Sequence, residues 1–306
     1  MQMTQIMTMP QLDLYDFSDK VIAFSTTRHG GCSTDHSALP PRNAKNYASF
    51  NINRFCGDAE EHIRKNREAL CRLLGIDDAR LLMPHQVHEA KVAKIDEMLL
   101  ARSEEQRCEA LEGYDALMTD LKGVCIGVST ADCIPLLLYD KTHHAVCAVH
   151  AGWRGTVKRI VVKAVEAMTE AYGTLPQQLV AQIGPGIHLD SFEVGDEVYK
   201  AFSEAGFDME QISKKFPSSD SGSRSAFGRL LPTGRKKFFT HHSSLITSKW
   251  HIDLPECNRL QLLDAGLLPQ NIQVSPVCTF QQANDYFSAR RLGINSGRIF
   301  TGILMK

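Results

Sequence analysis

Short apolar runs near the middle of the chain constrain its fold more than any other feature. They cover residues 124–128, 134–139, 145–149 and 179–183. Apolar runs of this length, bounded by turn residues, are typical of strands that are buried on both faces. Helical patterns are interleaved with these runs. The sequence therefore predicts an α/β (α+β) class, a single layered domain of mixed β-sheets covered by helices that spans residues 1–306.

Two segments have the apolar spacing of helices that bury one face. Residues 58–74 place Ile63, Leu70 and Leu74 on one side, with Asp58 as the expected N-cap and Gly75 as the stop. Residues 156–172 repeat the pattern and end at Gly173. Further helices are expected at 193–205 and 255–265, and a strand at 21–24. Residues 214–237 are rich in Ser, Gly, Lys and Arg, which predicts a flexible loop within the domain.

Charge and composition restrict the partners and the compartment. A formal net charge of -1 provides no field that would recruit nucleic acid or an anionic membrane, so a small molecule is the expected partner. No apolar run approaches the roughly 20 residues of a membrane span, and residues 1–10 lack the pattern of a signal peptide. The nine cysteines are an odd number scattered along the chain, unlike a secreted disulfide framework. A cytoplasmic protein with reduced cysteines is predicted.

Two reactive side chains fall at the ends of predicted strands. Cys133 follows Asp132 at the break between the runs 124–128 and 134–139, and His150 is expected in a Gly-flanked turn after 145–149. A thiolate and an imidazole brought together there can hold a soft or borderline divalent metal. They can equally act as a nucleophile and its base.

A third donor for a metal is expected from the segment 81–95, which reads as extended. His85 and His88 differ by an odd number of positions, so on a strand they point to opposite faces and only one can share a site with Cys133. A catalytic zinc needs about three protein ligands and an open position.

Two further segments each leave two interpretations open. The turn that contains Arg28, Gly30 and Gly31 could bind an anion, or it could be an ordinary Gly-rich turn after a strand. Asn51 could bind a ligand through its amide, or it could fix a turn through backbone hydrogen bonds.

Ordered motifs along nearly the whole chain resemble a known family, once described as multicopper polyphenol oxidases or laccase-domain proteins and more recently as purine nucleoside phosphorylases. The motif around His150 is the most specific of them. The matching pieces include Gly30-Gly31, Tyr47-Ala48-Ser49-Phe50-Asn51, Gln86-Val87-His88, Asp115-Ala116, Thr130-Ala131-Asp132-Cys133-Ile134-Pro135, His150-Ala151-Gly152-Trp153-Arg154-Gly155, Ile183-Gly184-Pro185, Cys278-Thr279 and Arg290-Arg291.

The resemblance implies one zinc ion per chain, bound by His88, Cys133 and His150, in agreement with the exclusion of one of the two neighbouring histidines. It also implies phosphorolysis of adenosine, inosine, guanosine and methylthioadenosine, and deamination of adenosine. Some bacterial members are associated with removal of wrong amino acids from peptidoglycan precursors. The departures from the family pattern, which bear on substrate preference, are Glu89, Ser191-Phe192, Gln281 and Ala289.

Copper chemistry is disfavoured by the histidine pattern. A multicopper oxidase needs a blue-copper centre and a trinuclear cluster, with many histidines in paired motifs. The chain has 12 histidines but no His-X-His pair. A single redox-silent zinc suits hydrolysis or group transfer instead.

Three functional hypotheses follow. The first is a zinc-dependent purine nucleoside phosphorylase with adenosine deaminase activity, in which Asp132 delivers protons, Arg28 or Arg154 positions phosphate, and Asn51 binds purine or ribose. The second is a metal-free Cys–His amidohydrolase acting on peptidoglycan precursors, with Cys133 as the nucleophile. The third is a binding or scaffold protein in which zinc only stabilises the fold.

Overall fold

Two mixed β-sheets form the centre of the protein. The computed structural model describes residues 9–35, 46–217 and 248–306. The strands of the first sheet, in spatial order, are β1 (Leu12–Tyr15), β2 (Val21–Thr26), β14 (Ile299–Met305), β6 (Cys125–Thr130) and β3 (Leu81–Leu82). Those of the second sheet are β13 (Ile272–Val274), β9 (Leu179–Ile183), β7 (Ile134–Asp140), β8 (Ala145–Ala151), β5 (Ala116–Thr119) and β4 (Val92–Lys94).

A smaller sheet and the helices surround this centre. The small sheet contains β10 (Glu193–Val194), β12 (Ser248–Ile252) and β11 (Ser213–Pro217) in that order. The α-helices within the described ranges are α1 (Glu60–Leu74), α2 (Glu97–Leu100), α3 (Glu104–Ala110), α4 (Trp153–Val157), α5 (Ile160–Tyr172), α6 (Asp196–Glu204), α7 (Met209–Ile212), α8 (Leu254–Asp264) and α9 (Ala289–Leu292). None of these helices is both long and apolar enough to cross a membrane.

Side-chain alternation along β7 explains the layered packing. Leu137 and Tyr139 pack with residues of the first sheet, including Ile126 of β6, whereas Leu136 and Leu138 pack towards α5 and α8. On the outer face of the first sheet, Phe24 and Phe300 pack against Leu70 of α1. Because both faces of the central strands of the second sheet are covered, β7, β8 and β9 read as nearly continuous apolar runs. The predicted class of mixed sheets covered by helices is confirmed.

The predicted helix boundaries are close to those observed. Helix α1 ends at Gly75, which has φ 69°, and α5 ends at Gly173 with φ 73°, the left-handed conformation that glycine adopts without strain. The N-cap of α1 is Ala59 rather than Asp58. The carboxylate of Asp58 accepts hydrogen bonds from the Ala59 N–H and the Ser33 hydroxyl instead.

Two predicted segments differ from the structure. Residues 214–217 of the expected loop belong to β11, which pairs with β12, and residues 218–237 lie outside the described parts of the chain. The segment 81–95 forms strands at Leu81–Leu82 and Val92–Lys94, with an isolated bridge at His85 between them. Between them the backbone bends at His88, whose φ is 64°. His85 and His88 therefore do not share a regular strand, and strand alternation does not determine where their side chains point.

Candidate metal centre

Strand pairing brings Cys133 and His150 together. In the antiparallel pair β7–β8, Ile134 lies opposite Ala151 and Pro135 opposite His150. Cys133 immediately precedes β7, so it lies at the same end of the pair as His150. His150 is the second-to-last residue of β8 and not part of the turn in which the sequence placed it, because the ladder continues to Ala151.

His88 reaches the same place from a loop that is attached to the first sheet. The side chain of Gln86 accepts a hydrogen bond from the Ser129 N–H at 2.8 Å and donates one to the Ser129 carbonyl at 2.8 Å. One donor, His88, and the residue before another, Asp132, have positive φ although they are not glycine, at 64° and 88° respectively. Such conformations are costly, and they concentrate at functional sites.

The three predicted donors converge. One donor atom from each of His88, Cys133 and His150 lies within 4.8 Å of the other two. The Sγ of Cys133 is 3.8 Å from Nε2 of His88, and the two imidazole rings meet edge to face with centroids 4.9 Å apart. His150 is buried while His88 is exposed, so the group extends from the interior to the surface. A molecule in solvent can therefore reach it.

Asp115 connects two of the three donors, and sequence reasoning gave it no role. Its carboxylate accepts a hydrogen bond from Nδ1 of His150 at 2.7 Å. It also accepts from the backbone N–H groups of His88 at 3.0 Å and Glu89 at 2.7 Å. The side chain is completely buried. Since Nδ1 of His150 is bonded to Asp115, Nε2 is the ring nitrogen that is left to face the other donors.

Electrostatics in the group favour a thiolate. Burial by itself raises the pKa of the Cys133 thiol, but the imidazoles of His150 and His88 lower it overall, to about 6. Burial by itself lowers the pKa of His150, but Cys133 and Asp115 raise it. Burial also opposes ionisation of Asp115, yet the hydrogen bonds from His150 and the backbone keep its pKa below the ordinary value. A thiolate is the form of cysteine that binds a metal.

Gly152 lies against the donors. A Cβ atom at this position would be 2.8 Å from Cδ2 of His88 and 3.1 Å from Sγ of Cys133. Only a residue without a side chain allows the backbone between β8 and α4 to pass so close to the group.

The donor chemistry fits a metal ion. Two imidazole nitrogens and one thiolate are the ligand types of tetrahedral zinc sites that keep one position open. Among the described residues, His88, Cys133 and His150 form the one group of three or more such donors with this spacing. This group could hold a metal ion.

His85 lies outside the group of metal donors. Only one of His85 and His88 was expected to share the site with Cys133. Its Nδ1 is 2.7 Å from the carboxylate of Glu112, and its ring stacks on Phe55 with centroids 4.1 Å apart.

Asp132, the proposed acid, is held in place by hydrogen bonds. One carboxylate oxygen accepts from the Thr279 hydroxyl at 2.8 Å and the other from the backbone N–H of Arg290 at 2.7 Å. These contacts connect the turn before Cys133 to the beginning of α9. They explain how the positive φ of Asp132 is maintained.

The two arginines proposed for phosphate differ in their surroundings. Arg28 is half-buried, and its guanidinium donates to the carbonyls of Ala48 at 2.9 Å and Ala283 at 2.7 Å. Arg154 is exposed in the first turn of α4, with its guanidinium 4.2 Å from the ring centroid of Trp153. It follows Gly152 by two residues. Arg154 is therefore the one of the two whose side chain is exposed to solvent.

The amide oxygen of Asn51 and the double glycine, Gly30-Gly31, both contact the surrounding backbone. Asn51 is completely buried, and its amide oxygen accepts from the N–H groups of Asn53 and Arg298. This is the turn-fixing role that the sequence left open for it. A Cβ atom at Gly30 or Gly31 would collide with backbone atoms of Met9 or Ser49, respectively. The glycines thus serve close backbone packing.

Comparison with known proteins identifies the family. The family model described as multi-copper polyphenol oxidoreductase laccase matches residues 22–306. The chain belongs to this laccase-domain family. The predicted resemblance is thereby confirmed.

Individual members of the laccase-domain family match over almost the whole chain. A purine nucleoside phosphorylase of Bacteroides thetaiotaomicron is 41% identical over 282 residues, which cover 92% of this chain and 90% of that protein. Adenosine deaminase RL5, from an unknown prokaryotic organism, is 40% identical over 301 residues and covers 97% of this chain and 100% of its own. The crystal structure of the hypothetical protein YfiH from Bacillus licheniformis superposes with a TM-score of 0.77 at 25% identity and covers 97% of both chains.

Proposed function

We propose that this chain is a zinc-dependent purine nucleoside phosphorylase that also deaminates adenosine. The observation that carries the proposal is the convergence of His88, Cys133 and His150 within 4.8 Å, beside a backbone that Gly152 keeps free of a side chain. The activities named for the two relatives that are 41% and 40% identical support the choice of substrate class.

The chemistry of the donors supports zinc over copper as the metal. Zinc, when bound by three protein groups, supplies a Lewis acid that can polarise phosphate or lower the pKa of water. The Cys133 thiolate and two neutral imidazoles would hold it, with Asp115 keeping the Nδ1 proton of His150 in place. Multicopper chemistry would require several histidine clusters. The described residues contain a single cluster of three or more possible metal donors, and it has only two histidines.

The remaining side chains have narrower roles in this proposal. The exposed guanidinium of Arg154 offers a positive charge for phosphate near the donors, whereas Arg28 holds two loops together. Asp132 shapes the turn that presents Cys133, and each of its carboxylate oxygens already accepts one hydrogen bond, from the Thr279 hydroxyl or the Arg290 N–H. We therefore assign phosphate binding to Arg154 before Arg28, and assign no purine or ribose binding to Asn51, which is completely buried.

Product analysis tests the proposal. Purified protein is incubated with adenosine, with and without phosphate. Adenine and ribose 1-phosphate that form only with phosphate indicate phosphorolysis, in which the glycosidic C–N bond breaks and a C–O bond to phosphate forms. Inosine and ammonia indicate deamination by water. Absence of all these products from zinc-loaded protein would contradict the proposal.

A second candidate is favoured by one specific observation. The Cys133 Sγ lies 3.8 Å from Nε2 of His88, and its pKa is lowered to about 6 by the neighbouring imidazoles despite burial. This is the arrangement of a Cys–His amidohydrolase, whose thiolate attacks an amide carbonyl and expels the amine. Peptidoglycan precursors are the substrate class proposed for it.

Alkylation distinguishes the two candidates. Iodoacetamide should modify Cys133 in metal-free protein, and added zinc should protect it. If the zinc-loaded protein is the active form and is protected, the phosphorylase proposal stands. If metal-free protein hydrolyses amides and loses that activity on alkylation, the amidohydrolase is correct.

A further inference from the structure

The buried carboxylate of Asp115 bonds to two of the three donor residues from different parts of the fold. It reaches the loop before β4 through the N–H groups of His88 and Glu89, and it reaches β8 through Nδ1 of His150. The backbone carbonyl of Asp115 adds a third connection, because it accepts from the His150 N–H at 2.7 Å. These contacts join segments that are 27 and 35 residues away along the chain.

We infer that Asp115 is a positioning residue that sets the orientation of both imidazole donors for metal binding. The inference rests on the proposed function, since it assumes that the His–Cys–His group binds zinc. Nothing in it requires Asp115 to touch the metal or the substrate. It requires a side chain that accepts hydrogen bonds at both oxygens, from a ring nitrogen and from the backbone of the His88 loop.

Asparagine cannot replace this carboxylate. An amide offers one oxygen that accepts and one nitrogen that donates. In Asp115→Asn, an amide nitrogen in place of Oδ1 would face Nδ1–H of His150 and the N–H of His88, whereas in place of Oδ2 it would face the N–H of Glu89. In the first case His150 would shift or change its tautomer, and in either case the loop that carries His88 would lose an acceptor. Loss of a hydrogen bond behind a metal-binding histidine typically weakens metal binding about 10- to 100-fold.

The chain offers a closely matched control in Asp140. It is also completely buried, and its carboxylate accepts from the N–H groups of Thr142 at 2.8 Å and His143 at 3.1 Å. Its other oxygen is 2.9 Å from Nδ1 of His143. Asp140 thus has the same kinds of partner as Asp115, but it lies at the opposite end of β7 from Cys133, about 20 Å away along the strand.

The experiment compares Asp115→Asn and Asp140→Asn by zinc competition against a chromophoric chelator and by thermal denaturation of the metal-free proteins. Both variants should melt at lower temperature than the wild type. Only Asp115→Asn should lose zinc affinity, by about 10- to 100-fold. Equal zinc affinities for Asp115→Asn and the wild type would overturn the inference and leave the zinc proposal standing. A wild type that binds no zinc would overturn the zinc proposal itself.

A second measurement does not depend on the folding of a variant. In wild-type protein loaded with zinc and labelled with 15N-histidine, Nδ1 of His150 should carry the proton and Nε2 should show the shift of a metal-bound nitrogen. The reverse assignment for His150 would overturn the inference, even if Asp115→Asn failed to fold.

Discussion

The backbone of Gly152 passes so close to Cys133 that a Cβ atom there would lie 3.1 Å from the sulfur. The same atom would lie 2.8 Å from Cδ2 of His88. In Gly152→Ala one of these donors has to move, and such overpacking typically costs about 1–3 kcal/mol of stability. We expect weaker zinc binding and lower phosphorolysis, measured by chelator competition and by release of adenine.

Gly206→Ala is the control for this substitution. Gly206 has φ 77° and open space around the position of a Cβ atom. Alanine in the left-handed region costs about 1–2 kcal/mol. The control should therefore lose comparable stability and keep zinc affinity. If both variants bind zinc like the wild type, the close approach at Gly152 has no bearing on the metal.

The neighbouring histidines should respond differently to removal. His88→Ala deletes a donor, so zinc affinity should fall by more than the roughly 10- to 100-fold expected for a contact behind a donor. His85→Ala removes a half-exposed pair with Glu112, which is worth less than about 1 kcal/mol. His85→Ala should keep the zinc and the activity. Loss of zinc in both variants would show that the 81–95 segment is disrupted as a whole.

The buried strands could be predicted because every position along each of them has the same buried environment. Strand β9, Leu179–Ile183, has the predicted bounds, and β7 and β8 start where predicted but continue one and two residues further, respectively. Both faces of these strands are covered, so apolar residues occur at consecutive positions. The position of His150 was predicted incorrectly, since the backbone pairing that extends β8 past it is not encoded in the apolar pattern.

The three candidate metal donors could be predicted from the sequence, but the residue that holds two of them in place, Asp115, could not. Family resemblance pointed to His88, whereas the alternation argument assumed a strand where the chain bends. The role of Asp115 depends on donors that are 26 to 35 residues distant, and no local pattern reveals them. Asn51 lies in a segment whose pattern suited a binding site and a turn equally well, and its complete burial and its bonds to Asn53 and Arg298 favour the turn.

A pH-dependent stability difference is expected for Asp253→Asn. Asp253 is the N-cap of α8 and accepts from the Glu256 N–H, a role that asparagine can also fill. Burial raises the pKa of Asp253 above its ordinary value of about 3.9. A group with a raised pKa contributes stability below the unfolded pKa and loses that contribution as pH rises through the folded pKa.

The neutral variant should therefore be more stable than the wild type at pH 7, and the difference should shrink as the pH falls through the folded pKa and disappear below about pH 4. Urea denaturation at several pH values measures this difference. A variant that is less stable at pH 7 would mean that the charge of Asp253 is stabilised by its surroundings.

Metal analysis of purified wild-type protein and Cys133→Ala tests the central claim most directly, with Cys147→Ala as a control for loss of a buried cysteine in β8. We expect close to one zinc ion per chain in the wild type and in Cys147→Ala, and almost none in Cys133→Ala. A wild type without zinc after growth and purification with zinc present would contradict the account. Full retention of zinc in Cys133→Ala would contradict it as well.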